Sequence, residues 1–166
     1  GITLAVDHLV SLGHRRIAHL DGGGGSQAAP RRRGYLAAMA AHGLTPRVVA
    51  SEYTDAAGAR AVRGLSADMP TAIVSCNDFN AVGAISALEE AGFRVPRDVS
   101  VVGYDNTSLA ALRHVSLTTI DQPRNEFGRL AAAALLQRVR GERDEPVRHL
   151  LHPSLVVRST TAPPVR

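Results

Sequence analysis

The chain of 166 residues has no lysine and no tryptophan, and it holds a single cysteine, Cys76. One cysteine excludes an intramolecular disulfide framework and a four-cysteine zinc site. Without lysine, no G-x-x-x-x-G-K-[ST] phosphate-binding loop can exist. No apolar run approaches the ~20 residues that a membrane-spanning helix needs, so we expect no membrane partner. Because 45% of the residues are hydrophobic, the chain is also too apolar for a disordered tail.

The charge balance is basic, and all 19 basic residues are arginines. Against 15 acidic residues they give a formal net charge of +4 and a pI near 10.2. A pI above ~9 is typical of nucleic-acid-binding domains. The arginines, however, are spread along the chain and interleaved with acidic residues. The basic balance alone therefore does not identify a surface that touches DNA.

Short apolar strands alternate with helical stretches along most of the chain. In chain order we expect helix 1–12, strand 16–20, helix 30–42, strand 48–50, helix 56–66, strand 72–75, a helix from 78, strand 99–102, strand 117–120, a helix from 125 and strand 155–157. Asp78 and Asn125 are expected to cap the helices that begin there, and the inward face of the first of these carries Val82, Ile85 and Leu88. The alternation predicts an α/β fold with a parallel sheet covered by helices on both faces.

Four consecutive glycines, Gly22 to Gly25, follow the first predicted strand. The stretch 23–28 fits the G-x-G-x-x-A pattern of a dinucleotide-binding turn between a strand and a helix. The acidic residue that should bind the ribose about 20 residues later is missing, since Glu52 lies too far along the chain. A flexible connecting loop is therefore favoured over a nucleotide loop, and a nucleotide-dependent enzyme would rest on this loop alone.

Residue patterns of known catalytic sites are scarce in this sequence. It contains neither an H-E-x-x-H nor a G-x-S-x-G pattern. Cys76 ends a buried strand, where a lone cysteine usually serves as a small core residue. Asp105 could act as a general base only with a partner that the sequence does not supply, and it could equally be a turn or cap residue. We therefore expect no enzymatic activity, no metal and no cofactor.

Polar side chains follow the carboxyl ends of four successive predicted strands: Gln27 the first, Tyr53 the second, Asn77 and Asp78 the third, and Asp105 and Asn106 the fourth. Arg31, in the first turn of the first crossover helix, is reachable from the same edge. In open parallel sheets, ligands bind in the crevice at this edge. An aromatic ring, a guanidinium, amides and a carboxylate are together typical of sugar recognition, by stacking and by paired hydrogen bonds to hydroxyls.

The sequence as a whole resembles the effector-binding core of LacI/GalR-type bacterial transcriptional regulators, which share the periplasmic-binding-protein type I fold. The matching stretches are 8–17, 31–35, 77–83, 98–105, 117–123 and 153–160. They include an R-x-x-G-Y motif, an Asn-Asp pair and a Gly-Tyr-Asp motif. These stretches are distributed over essentially the whole chain, in the order and spacing of the family.

The resemblance assigns roles to single residues. It implies six effector-binding residues: Arg31, Tyr53, Asn77, Asp105, Gln122 and Gln27. In this assignment Arg31 grips the effector, Tyr53 stacks on it, and Asp105 accepts hydrogen bonds from its hydroxyl or amine groups. Gln122 is a lesser candidate, and Gln27 stands where the family often has a small hydroxyl residue. Arg32 and Arg33 are expected to be solvated residues on the helix face.

The resemblance also implies that residues 1–166 are part of a two-lobed effector-binding domain. The carboxy-terminal lobe would comprise 14–116 and 148–162, and 1–12 with 117–147 would be a remnant of the amino-terminal lobe. The helix-turn-helix headpiece would be absent from this chain. The remnant would then leave two apolar stripes without their sheet, namely Ile2, Val6 and Leu9, and Phe127, Leu130 and Ala134.

Two functions from different classes follow. The first is the sensor of a cytoplasmic regulator of sugar metabolism that contacts DNA through its headpiece and forms a homodimer, with residues of helix 80–91 as interface candidates. The second is an extracytoplasmic sugar-binding protein that serves a transporter. The motifs at 12–17 and 117–123 favour the regulator.

Overall fold

The computed structural model describes residues 1–65 and 67–165. Positions 66 and 166, which the predicted helix 56–66 and the predicted domain 1–166 include, lie outside the described residues. The chain divides into two compact units. The larger unit is Gly1–Asp121 together with the segment that begins at Ser154, and the smaller unit is Gln122–Pro153.

The predicted alternation of strands and helices is confirmed. The elements are α1 (Ile2–Ser11), β1 (Ile17–Leu20), α2 (Ala28–Ala41), β2 (Arg47–Val49), α3 (Asp55–Arg63), β3 (Ala72–Ser75), α4 (Asp78–Glu90), β4 (Ser100–Tyr104), β5 (Thr118–Asp121), α5 (Arg124–Val139) and β6 (Ser154–Val156). Within the described residues, none of these helices is both long and apolar enough to cross a membrane.

All six strands form one sheet in the order β2-β1-β3-β4-β5-β6. The first five strands are parallel, as predicted, but β6 pairs antiparallel with β5. The register explains the exception, because Ser154 at the start of β6 lies opposite Asp121 at the end of β5. The chain leaves and re-enters the sheet at the same edge, so the returning strand runs in the reverse direction.

Buried side chains fill both faces of the sheet. β1 and β3 are buried along their whole length, as expected for central strands of a parallel sheet with helices on both sides. Ile73 faces α3 and α4, whereas Val74 faces α1 and α2. On α4, Leu88 is fully buried, but Val82 and Ile85 are only half-buried, so the predicted inward face of this helix is partly wrong.

The apolar stripe of α1 is covered, which contradicts the prediction that it would lack a sheet. Ile2, Val6 and Leu9 are buried and pack in one cluster with Ile17 and Val74. α1 therefore covers one face of the sheet in the larger unit, and so, within this chain, residues 1–12 and strand β5 belong with β1 to β4. The assignment of lobes in a longer protein stays a prediction.

The smaller unit is built around α5, and no residue of this helix is buried. Phe127 is 68% exposed, in keeping with an uncovered stripe. Leu130 and Ala134 are half-buried and line a cleft with residues 147–151 of the same unit. The predicted cap Asn125 is wrong, because the helix begins one residue earlier and Pro123 occupies the cap position.

Candidate functional site

Arg31 joins three elements at the carboxyl edge of the sheet. It lies in the first turn of α2, and its side chain is only 11% exposed. One guanidinium nitrogen donates to the carbonyl of Cys76, just after β3, and another donates to Asp105 Oδ1 at 3.3 Å, just after β4. Two hydrogen bonds to fixed acceptors hold the planar guanidinium in one orientation.

Tyr104 supplies the surface on which Arg31 rests. The guanidinium carbon of Arg31 is 4.0 Å from the centre of the Tyr104 ring and 5.6 Å from that of Tyr53. At such distances a cation is attracted to the ring face. Burial raises the pKa of Tyr104 and of Tyr53, and the positive charge of Arg31 opposes the shift in both. Both phenols therefore stay neutral at physiological pH.

The backbone at Asp105 is bent sharply into the site. Asp105 has φ of 105° and Asn106 has φ of 47°, a region that non-glycine residues rarely adopt. The amide of Asp105 donates to the carbonyl of Ile120 at 2.9 Å, and the Asn106 side chain donates to Asp121 at 2.9 Å. Strained backbone of this kind is frequent at binding sites, where the surroundings enforce it. Here it directs the Asp105 carboxylate towards Arg31.

Tyr53 packs directly on the glycine loop. A Cβ atom added at Gly22 would overlap the Tyr53 ring, and one added at Gly25 would lie 2.7 Å from a ring carbon. These two glycines are thus needed because the ring occupies the space of a side chain. The finding supports a structural loop and gives no support to a nucleotide-binding turn.

Asn77 caps the amino end of α4, and the prediction that Asp78 is the cap is wrong. Its side-chain oxygen accepts from the amide of Asn80 at 2.9 Å, and its nitrogen donates to the carbonyl of Tyr53 at 3.1 Å. Asn77 therefore ties the segment of Tyr53 to the start of α4. Its predicted contact with an effector stays a prediction.

Asp78 is buried at the start of α4, and it links this helix to β5 and to the loop after β4 instead of capping the helix. Its Oδ1 accepts from the Thr119 hydroxyl at 2.6 Å, and its Oδ2 accepts from the amide and the hydroxyl of Thr107 at 2.6 and 2.9 Å. A Cβ at Gly103 would come within 2.5 Å of Oδ1, so the glycine leaves room for this carboxylate. These bonds fix the loop that follows Asp105.

Sequence reasoning missed the pair formed by Asp21 and Arg32. Asp21 follows β1 directly and is 5% exposed, and Arg32 forms an ion pair with it. Arg32 also donates to the carbonyl of Gly23 at 3.5 Å. The expectation of a simply solvated Arg32 is therefore wrong, because the helix turn aims it at the buried end of β1. An acidic residue immediately after a buried strand was the pattern that could have indicated this.

The remaining predicted residues lie apart from these contacts or in the other unit. Gln27 precedes α2 as its cap residue, is exposed and makes no side-chain cap bond. Gln122 belongs to the smaller unit. Cys76 is buried, and burial raises its pKa to about 12, so it stays a neutral core thiol as predicted. Among the described residues, no group of three or more His, Cys, Asp or Glu side chains could hold a metal ion.

Comparisons with known proteins agree with the fold described above. A family model described as a periplasmic binding protein-like domain matches residues 6–161. The HTH-type transcriptional repressor PurR of Yersinia enterocolitica is 37% identical over 170 residues, which cover 96% of this chain and 48% of that protein. This chain thus spans about half the length of the curated relatives that it matches.

Solved structures give the same result. A LacI transcriptional regulator from a Rhodococcus species is 45% identical with a TM-score of 0.93, over 98% of this chain and 62% of that one. The transcriptional regulator CelR in complex with cellobiose is 34% identical with a TM-score of 0.91, over 96% of this chain and 51% of that one. The chain therefore belongs to the periplasmic binding protein-like domain family, in the form that LacI-type transcriptional regulators use as their effector-binding domain.

Proposed function

We propose that this chain is the ligand-sensing domain of a LacI/GalR-type transcriptional regulator that works in the cytoplasm. A small effector, a sugar, binds between the two lobes that the family resemblance implies. A headpiece outside this chain contacts operator DNA. The role of the chain is binding and not catalysis. The observation that carries the proposal is the Arg31–Asp105 pair, held against Tyr104 at the carboxyl edge of the sheet.

A sugar suits this pair of charges. The guanidinium of Arg31 offers fixed donors, and the carboxylate of Asp105 offers acceptors, so together they match neighbouring hydroxyls, which both donate and accept. The ring of Tyr53 supplies an apolar surface beside them. CelR, whose structure is similar, is known in complex with cellobiose. Gln27, Asn77 and Gln122 complete the proposed set of effector contacts.

The effector acts by shifting an equilibrium between orientations of the lobes. Effector and operator DNA then affect each other's affinity by the same factor, typically a coupling of about 1–3 kcal/mol. Operator binding in this proposal requires a homodimer, because the two headpieces of a dimer bind the two half-sites of an operator. Val82 and Ile85 of α4 form a half-buried apolar surface beside a cleft of about 320 Å³, and we place the dimer contact of the larger unit there.

The transporter-associated alternative finds no support, since the relatives and structures compared above are transcriptional regulators. The residues encoded before Gly1 provide a further test. A helix-turn-helix there supports the regulator, and a secretory signal peptide would exclude it.

Calorimetric titration of the full-length protein with a panel of sugars and nucleobases tests the site. Arg31→Ala and Asp105→Ala should each abolish the heat signal of the sugar that binds the wild type. Arg63→Ala is the matched control, because Arg63 forms only an exposed pair with Glu90. If both site variants bind like the wild type, the site is misplaced.

A further inference from the structure

A second polar cleft lies at the opposite edge of the sheet, where β1 and β2 begin. Its volume is about 440 Å³, and three arginines line it. Arg15 and Arg16 directly precede β1, and Arg47 is the first residue of β2. Because these strands are parallel neighbours, their amino ends bring the three cations together. Arg31 lies at the carboxyl end of the same strands, so the two sites are distinct.

The lining of this cleft carries excess positive charge. Among the described residues that line it, Asp68 is the one acidic residue. Arg16 approaches Asp68 Oδ1 at 3.4 Å, and Arg47 approaches Oδ2 at 3.0 Å, so two guanidinium groups share one carboxylate. Arg15 forms no ion pair within the described residues. The lining is thus left with two uncompensated positive charges.

The walls between the arginines are apolar. Ile17, Leu44, Pro46 and Pro70 line the cleft beside the charged groups. The combination suits a ligand that has a compact anionic end and an organic body. Guanidinium groups match the oxygens of a phosphate by parallel hydrogen bonds, and several arginines together favour a doubly charged anion over a carboxylate. The cleft is local, with a volume of about 440 Å³, and it carries a carboxylate, which disfavours an extended polyanion such as DNA.

We propose that this cleft binds a small organic phosphate monoester, with its phosphate between Arg15, Arg16 and Arg47. The phosphate competes with Asp68 for Arg16 and Arg47, since an incoming anion must displace or repel that carboxylate. Arg15, which has no competing ion pair, makes the first contact. This site does not depend on the function proposed for the carboxyl edge.

The test is calorimetric titration of the full-length protein with phenyl phosphate as the probe. The double variant Arg15→Gln/Arg16→Gln should weaken binding at least about tenfold, as expected for the loss of charge-assisted hydrogen bonds. Asp68→Asn should instead tighten binding by a factor of a few, because it removes the competing carboxylate. A gain of affinity cannot arise from misfolding, so this variant keeps the test decisive.

Matched controls separate a site from general charge effects. The double variant Arg63→Gln/Arg113→Gln removes the same charge from exposed positions outside the cleft and should bind phenyl phosphate like the wild type. Arg31→Gln should also leave phenyl phosphate binding intact. The proposal is overturned if the wild type shows no saturable binding, if both double variants lose affinity equally, or if Arg31→Gln abolishes it.

Discussion

The guanidinium carbon of Arg31 lies 4.0 Å from the centre of the Tyr104 ring, and the same guanidinium donates a hydrogen bond to Asp105, the residue that follows Tyr104 in the chain. The Tyr104 ring thus packs against the face of the guanidinium, and Asp105 fixes its orientation by a hydrogen bond. This relationship gives Tyr104 a positioning role in the proposed effector site, although the sequence pattern had singled out only Asp105.

Tyr104→Leu should weaken effector binding without preventing folding. Loss of a partly buried cation–π contact of about 0.5–2 kcal/mol corresponds to a loss of roughly two- to thirtyfold in affinity. Tyr104→Phe keeps the ring and should stay close to the wild type. Calorimetry on both variants decides the matter, and equal losses in Leu and Phe variants would show that the hydroxyl matters instead of the ring face.

Alanine at Gly22 should displace the Tyr53 ring and destabilise the protein by about 1–3 kcal/mol, the usual cost of overpacking. Gly24→Ala is the control within the same loop, since a Cβ there meets nothing within 4 Å. Denaturant unfolding measures both. Adding Tyr53→Ala should relieve the cost of Gly22→Ala, and a double variant with simply additive losses would contradict the proposed contact.

The side chain of Thr160 bridges β4 and β5 by hydrogen bonds. Its hydroxyl accepts from the amide of Thr118 at 2.9 Å and donates to the carbonyl of Val101 at 2.7 Å, and it is buried. Thr160→Val should lower the free energy of unfolding by about 1–3 kcal/mol, because it leaves buried backbone groups unpaired. Ser159→Ala removes an exposed hydroxyl next to it and should change stability little. Similar melting curves for the two variants would argue against this role.

Stability should fall in mild acid because two histidines are buried. Burial lowers the pKa of His14 and of His19, and outweighs the hydrogen bonds to the carbonyls of Ala162 and Val74. Protonation therefore favours the unfolded chain. The stabilisation is complete above about pH 6.5, the ordinary histidine pKa, and is lost as the pH falls from there through the lowered values.

His19→Phe tests this pH dependence. It keeps the ring contact with Tyr35, whose centre is 5.2 Å away, but it cannot be protonated. Denaturant unfolding between pH 7.5 and 5.5 should show a shallower slope for this variant, by at most about 1.4 kcal/mol per pH unit. His152→Phe, at an exposed position, is the control for the introduction of a phenylalanine. A slope unchanged in His19→Phe would rule out His19 as a source.

The succession of strands and helices along the chain and the edge that carries the polar residues could be predicted from the sequence. Alternating apolar strands and helices fix a parallel sheet, and parallel strands bring the residues that follow them to one edge. Arg31 and Asp105 were expected at that edge, and the structure joins them by a hydrogen bond. Their role towards an effector stays a prediction.

Other features depend on three-dimensional context that local patterns do not contain. Whether Asn77 or Asp78 caps α4 depends on Thr107 and Thr119. These residues are distant in sequence, and both donate hydrogen bonds to the Asp78 carboxylate. The burial of the apolar stripe of α1 depends on its packing against β1 and β3. The position of Tyr104 could have been predicted. Side chains alternate between the two faces of a strand, so Tyr104 lies on the same face as Val102, towards α2.

The central claim is that Arg31 and Asp105 act together on a sugar effector. The most direct measurement is a double-mutant cycle by calorimetry with the sugar that binds the wild-type protein, using Arg31→Gln, Asp105→Asn and the combination. The account predicts a large loss for each single variant and little further loss in the double variant, since the two residues form one unit. Wild-type affinity in both single variants would contradict it.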